Sequence, residues 1–244
     1  MKIVVDYLLS IVYLVYFSLV LIVFHGLQVF TFDLFDRPAQ KRVVEWMNAA
    51  ITFGLYLTGS SVRFRQMTPL PTDRPIIFVA NHQSLFDISP MSWFLRRHTP
   101  AFVSKIELKY GTPSVSYNLR RSGAALIDRT NPRQAMSELA RLGKQIQDRT
   151  ESAVIFPEGT RSVTGEMKPF QSAGVAMLLK KAPSALLVPV AIQGTGQFNP
   201  RKMFPLRSFS RLSWTVLPGI EPAGQSADAL VQQAQAAIGA ILGQ

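Results

Sequence analysis

Residues 7–32 run for 26 positions without Asp, Glu, Lys or Arg. No other feature constrains the fold as strongly. As an α-helix this run is about 39 Å long, enough to cross a bilayer with some tilt. Its centre, residues 8–24, reads LLSIVYLVYFSLVLIVF, with aromatic and branched side chains on every face. A helix that is apolar all round belongs in a core or in lipid. A secretory signal peptide would need a basic start, about 7–15 apolar residues and a small-x-small cleavage site. Here Lys2 is offset by Asp6, the apolar run is longer, and no such site follows Phe24.

A second apolar stretch, residues 43–57, reads VVEWMNAAITFGLYL and is interrupted by Glu45 and Asn48. Its Trp46 and Tyr56 are types that favour the headgroup level of a membrane. Between the two stretches, Pro38 marks a break. The pattern predicts two helices forming a membrane anchor over residues 1–58, either spanning the bilayer or lying in its interface. Arg37, Lys41 and Arg42 follow the first helix and only Lys2 precedes it. If that helix spans, the bias puts its C-terminal end in the cytoplasm.

Charge divides the chain at the same place. Residues 1–58 hold four bases and four acids, so the whole net charge of +11 falls in residues 59–244. A neutral apolar anchor is followed by a basic globular domain of ordinary size. The excess calls for an anionic partner. A nucleic-acid-binding membrane protein would need a basic stripe with interleaved aromatics, whereas the bases here are dispersed, so no nucleic acid is expected. With 48% hydrophobic residues the chain is no disordered polymer, and without Cys it has neither disulfides nor thiolate metal sites.

In the basic part, short apolar runs at 61–65, 75–80, 101–104, 124–127, 153–156, 186–192 and 212–217 read as strands. Residues 86–97, 132–149, 173–181 and 227–242 read as helices. The helix at 132–149 is the clearest. Thr130 or Asn131 caps it, Pro132 suits its first turn, and Ala135, Leu139, Leu142 and Ile146 form a stripe. Strands that do not alternate imply a sheet covered on both faces. The expected fold is α/β, with a mixed, largely parallel sheet flanked by helices on both faces.

Functional loops in such folds sit at strand C-terminal ends, and two of these ends are chemically unusual. The first is FVANHQSLFDI, residues 78–88. Five residues separate His82 from Asp87. On one helix they would point about 140° apart, and on one strand they would stand about 16 Å apart. They meet only if a turn lies between them, with Ser84 capping the helix that follows. A His held by a carboxylate is a general base of fixed orientation; the plainer alternative is a His and an Asp at a helix cap. The second end is AVIFPEGTRS, residues 153–162. Gly159 allows close backbone approach, Thr160 and Ser162 offer hydroxyls, and Arg161 offers a planar fork for phosphate. Alone, it would equally be a polar turn. His25, His82 and His98 are too few and too scattered for a metal site. The chain has no G-x-S-x-G elbow, Walker A loop or Rossmann glycine fingerprint.

Together, N-H-x-x-x-x-D after a strand and F-P-E-G-T-R-S some seventy residues later resemble the glycerolipid acyltransferase family, of the bacterial 1-acyl-sn-glycerol-3-phosphate acyltransferase type. Residues 123–129, GAALIDR, are similar to the family's G-x-x-F-I-D-R block, with Leu126 where Phe is usual. Residues 188–192, VPVAI, are similar to its fourth block, and Lys105 in SKIELKYGTP to its lysine block. The match covers roughly residues 60–220.

The resemblance implies an O-acyltransferase with no cofactor and no metal. His82 would take the proton of a lysophospholipid hydroxyl, with Asp87 orienting His82. The hydroxyl would attack an acyl thioester, acyl-CoA or acyl-carrier protein, with no covalent enzyme intermediate. Backbone N–H groups after His82 would meet the oxyanion. Gly159, Thr160 and Arg161 would hold the acceptor phosphate, with Lys105 and Arg129, while Glu158 would orient the acceptor glycerol or brace the loop. The favoured acceptor is 1-acylglycerol-3-phosphate; a lyso-ornithine lipid or a headgroup-bearing lysophospholipid is the alternative. Membrane lipids are the expected surroundings, at a bacterial-type inner membrane with the catalytic domain on the cytoplasmic side. Gly111, Thr112 and Leu126 depart from the family's usual residues and bear on acceptor identity. Residues 193–207 form a basic, Gly- and Pro-rich stretch that reads either as a membrane-facing loop, through Phe198, Met203, Phe204 and its cations, or equally as a solvated surface loop.

Overall fold

The apolar run folds as one helix, α1 (Lys2–Leu34), and a break at residues 35–36 separates it from α2 (Arg37–Gly54). The structure, a computed structural model, describes residues 2–162, 165–200 and 203–244. The Asp36 carboxylate caps α2 by accepting the Ala39 N–H, and Pro38 occupies its first turn. Among the described residues, α1 is the one helix long and apolar enough to cross a membrane.

α1 does not stand clear of the rest of the chain. Asp6 accepts the Ser208 N–H at 2.9 Å and also the Ser208 hydroxyl. Tyr16 donates to Ala50 O at 2.9 Å, and the Ser114 hydroxyl donates to Leu21 O at 2.8 Å. Phe32 meets Tyr117 edge-on. These contacts follow α1 from Asp6 to Phe32, a distance of about 39 Å. Tyr13 is fully buried among residues of the sheet's own core. The opposite face is bare: Leu8, Ile11, Val15, Leu19 and Ile22 are each at least 50% exposed.

Among the described residues seven strands make one sheet: β1 (Ser61–Gln66), β2 (Ile76–Ala80), β3 (Pro100–Lys105), β4 (Ala125–Ile127), β5 (Ser152–Ile155), β6 (Leu186–Gln193) and β7 (Arg211–Val216). Their order is β1-β7-β6-β2-β5-β3-β4. The five strands from β6 to β4 run parallel, while β7 is antiparallel to β6 and β1 follows β7. Every residue of β2 and β5 is buried, as two-sided cover requires. Alternate residues of β2 face opposite cores. Ile76, Phe78 and Ala80 pack with Phe86, Met91 and Trp214, on the side of α1 and α3 (Ile88–Phe94). Ile77 and Val79 pack against α5 (Pro132–Arg149), α6 (Ala173–Lys181) and α8 (Ala227–Leu242).

Asn131, one of the two expected caps, starts α5 by accepting the Gln134 N–H, and Leu139, Leu142 and Ile146 of the stripe are buried. The predicted helix at 86–97 is shorter than expected: α3 is flanked by 3-10 turns at Leu85–Asp87 and Arg96–His98. Two short helices have no counterpart in the sequence reading, α4 (Val115–Leu119) and α7 (Thr195–Phe198). Neither is long enough to display a helical period. The membrane-facing reading of residues 193–207 is corrected in one respect. Phe198 is fully buried, Met203 is partly buried, and Phe204 is exposed against Tyr7 of α1. Arg201 and Lys202 lie outside the described residues.

Candidate active site

The parallel strands bring five C-terminal ends to one edge of the sheet, and each sequence-predicted site residue lies at or just beyond one of them. Asn81 extends β2 by one step. Its carboxamide donates to Ile192 O at 2.9 Å and accepts the Ile192 N–H at 2.8 Å, so a side chain continues the pairing of β2 with β6. His82 therefore leaves the sheet from a fixed point.

The chain then turns, and the turn brings His82 to Asp87. His82 Nδ1 lies 2.8 Å from Asp87 Oδ2. The same oxygen accepts the N–H of Gln83 at 2.7 Å and of Ser84 at 2.9 Å. Ser84 caps the 3-10 turn that carries Asp87, and with Asp87 forms a reciprocal capping box. The pair is thus both a helix cap and a His–carboxylate couple, so the two sequence readings of this loop are not exclusive. Since Oδ2 already receives two backbone donors, Nδ1 also meets it as a donor, leaving the Nε2 lone pair free. The imidazole stacks on Phe156, with centroids 4.2 Å apart. Asp87 is fully buried, while 13% of the His82 side chain remains accessible.

The second loop holds the first from behind. Glu158 Oε1 accepts the His82 N–H at 2.7 Å, and Oε2 accepts the Lys168 N–H at 3.1 Å. Ser162 N–H donates to His82 O at 2.8 Å. Both backbone groups of His82 are therefore held by the FPEGTRS segment. Burial raises the pKa of Glu158 above the ordinary glutamate value, against the lowering effect of its amide bonds and of the nearby His82 and Lys168 charges. Gly159 has φ +70°, the left-handed region where a side chain would strain the turn.

The oxyanion expectation meets an obstacle here. The N–H groups of Gln83 and Ser84 serve Asp87, and that of His82 serves Glu158. These three backbone donors are already engaged.

A cavity of about 1340 Å³ opens onto this edge, and His82, Lys105, Arg129, Gly159, Thr160 and Arg161 all line it. Asp87 and Glu158 stand behind that wall. Arg129 follows β4 in a loop held by Asp128, whose carboxylate accepts from Thr130 and whose N–H donates to Gln134 Oε1 at 2.8 Å. Burial lowers the Arg129 pKa from the usual arginine value, Glu107 opposes this, and Arg161 lowers it further. An anion between Arg129 and Arg161 would relieve that repulsion. Lys105, on β3, is 3.5 Å from Glu107. The fold adds another cation, Lys168, whose Nζ donates to Thr160 Oγ1 at 2.7 Å and to Arg161 O at 3.1 Å. Part of the cavity wall is apolar, formed by Phe17, Val44, Met47 and Ile51 of the two N-terminal helices with Phe86 and Phe102, while Arg37, Lys41, Glu45 and Arg121 are among the other charged residues that line it.

Sequence reasoning assigned no role to Asn81, Phe156 or Lys168. Asn81 and Phe156 sit inside the two motifs, so adjacency marked them. Lys168 is ten residues from Glu158, and only the closed loop brings it back. Among the described residues there is no cluster of His, Cys, Asp and Glu able to hold a metal.

Comparison with known proteins places this geometry among relatives. The family model described as Acyltransferase matches residues 61–193. A 1-acyl-sn-glycerol-3-phosphate acyltransferase of Pseudomonas aeruginosa is 29% identical over 166 residues, 68% of this chain and 62% of the relative. One from Chlamydomonas reinhardtii is 29% identical over 172 residues, covering 70% of this chain and 49% of the relative. The chain spans about half the length of the curated relatives it matches. The crystal structure of the 1-acyl-sn-glycerophosphate (LPA) acyltransferase PlsC from Thermotoga maritima has the same fold, with TM-score 0.81 at 23% identity, over 99% of this chain and 96% of that one.

Proposed function

Because the chain belongs to the Acyltransferase family, we propose that it transfers a fatty acyl group from an acyl thioester to the free hydroxyl of 1-acylglycerol-3-phosphate, giving phosphatidic acid. The observation that carries this reading is the His82–Asp87 couple at the mouth of a cavity lined by Lys105, Arg129 and Arg161. The cations favour a terminal phosphate monoester, with its higher negative charge, over a zwitterionic headgroup. The names of the relatives point the same way. The apolar wall beyond His82 suits an acyl chain.

In this mechanism the acceptor hydroxyl gives its proton to His82 Nε2 as its oxygen attacks the thioester carbonyl. Asp87 holds the imidazolium that forms. The tetrahedral intermediate expels the thiolate, which takes the proton from His82. Acyl-CoA and acyl-carrier protein both present such a thioester. Arg161, Arg129 and Lys105 hold the acceptor phosphate, with Gly159 and Thr160 shaping the loop beside it. Glu158 acts as the brace of the two loops, since both its oxygens are occupied by backbone amides.

In the same proposal, residues 1–58 seat the domain on the membrane, and α1 lies in the interface. The domain abuts α1 over about 39 Å, more than the roughly 30 Å of a hydrocarbon core. A crossing helix would drag polar loops such as that of Ser208 into lipid, where their backbone has no partners. The charge bias around α1 then has no topological force, because that rule applies to crossing helices. The cytoplasmic side follows instead from the donors, which are cytoplasmic thioesters.

An acceptor panel with purified protein in detergent tests the reading. Lysophosphatidate should be acylated, while lyso-ornithine lipid and lysophosphatidylcholine should react poorly. Failure of lysophosphatidate together with efficient use of a zwitterionic lysolipid would overturn the acceptor assignment.

A further inference from the structure

Asp87 has two oxygens, and the couple with His82 uses only one. Its Oδ1 accepts the Thr195 hydroxyl at 2.5 Å. Thr195 and Asp87 are both fully buried, so water cannot replace this bond. The Thr195 oxygen also lies 3.4 Å from Gln83 Oε1. A hydroxyl has one proton to give, and the nearer carboxylate takes it.

The chain presents Thr195 by a constrained route. Gly194 follows β6, and its φ is +85°. A Cβ there would stand 2.1 Å from Arg211 O, so only glycine permits the turn. The segment after it holds the His82 loop again: Gly196 N–H donates to Gln83 Oε1 at 3.3 Å, and Asn199 Nδ2 donates to Ser84 Oγ at 3.2 Å. Trp214 Nε1 donates to Asp87 O at 3.3 Å.

We propose that Thr195 is a positioning residue: by occupying Oδ1 it fixes the plane of the Asp87 carboxylate, so that Oδ2 stays aimed at His82 Nδ1. Among the described residues Oδ2 is bound by three donors and Oδ1 by this one hydroxyl, so loss of Thr195 removes the restraint on that oxygen. The carboxylate is then restrained through Oδ2 alone while a buried oxygen goes unpaired, so its plane is held less firmly and the alignment of the base weakens. This inference rests on His82 acting as the base.

The test compares Thr195→Val, which keeps the shape and removes the hydroxyl, with Thr195→Ser, which keeps the hydroxyl. In acyl transfer to lysophosphatidate, Thr195→Val should lower kcat by about tenfold, the scale of one lost buried hydrogen bond. KM for both substrates should stay within about twofold, since Thr195 is outside the cavity wall. Thr195→Ser should retain kcat near that of the parent. The low-field proton resonance of the His82–Asp87 bond, assigned by its loss in His82→Ala, should broaden or vanish in the Val variant and persist in the Ser variant. An unchanged kcat and resonance in Thr195→Val would overturn the proposal. So would a fall in kcat with the resonance intact, or equal impairment of both variants. If the parent enzyme acylates no lysolipid, the functional reading fails, and the resonance still tests Thr195.

Discussion

At Glu158, burial and hydrogen bonding act in opposite directions, and burial prevails. Between the ordinary glutamate pKa and the raised one, the folded chain keeps a proton that the unfolded chain has released. Stability from this group is therefore full at lower pH and falls as pH rises through that window. Glu158→Gln should flatten this slope, as denaturant titrations at several pH values would register. Arg161 lines the cavity and is proposed to hold the acceptor phosphate instead. Arg161→Ala should raise the acceptor KM by about 10- to 100-fold, the scale of a charge-assisted hydrogen bond, with a smaller change in kcat. Arg161→Lys should recover little, because it lacks the planar fork. The residues of the candidate site sit in short motifs, so their clustering at one edge of the sheet was largely legible in the sequence. His82 and Asp87 needed a turn between them, and Ser84 supplied its cap. What residue types did not reveal is how far each reaches. Glu158 looked equally suited to the acceptor or to the loop, and its distances to the His82 and Lys168 amides support the proposed bracing role.

Elements with a strong period were legible too. The limits of α5, α6 and α8 agree with those predicted, since capping residues and apolar stripes define them. Strand order was hidden, because a buried parallel strand looks alike at every place in a sheet. Asn81 shows how side chains reinforce that order. Asn81→Ala would leave the N–H and C=O of Ile192 without their partners in a buried setting, a loss of about 2–4 kcal/mol measurable by denaturation. α1 was legible as an apolar helix but not in its attachment: Asp6, Tyr16 and Leu21 gave no hint that they face the domain. The bare face of α1 yields its own prediction. Ile11→Lys with Leu19→Lys should weaken vesicle flotation strongly while leaving the detergent-solubilised activity near that of the parent. Unchanged flotation would remove α1 from the membrane interface.

For the molecule as a whole, the charge division of the chain and the position of the site agree. The neutral helices present apolar surface, while the net charge of +11 belongs to the remainder. Binding to vesicles rich in anionic lipid should therefore weaken between low and high salt, while the apolar contribution of α1 persists. The cavity joins these parts, with Phe17, Met47 and Ile51 from the N-terminal helices in the same wall as His82 and Arg161. A site with apolar residues beside the N-terminal helices and cations at the sheet edge fits a substrate that is lipid at one end and phosphate at the other. The most direct measurement is the initial rate of phosphatidic acid formation from an acyl thioester and lysophosphatidate, for the parent chain and for His82→Ala of matched circular dichroism. The parent should form product, and the variant should fall to background, by at least about a hundredfold. A variant that retains the full rate would contradict general-base catalysis by His82.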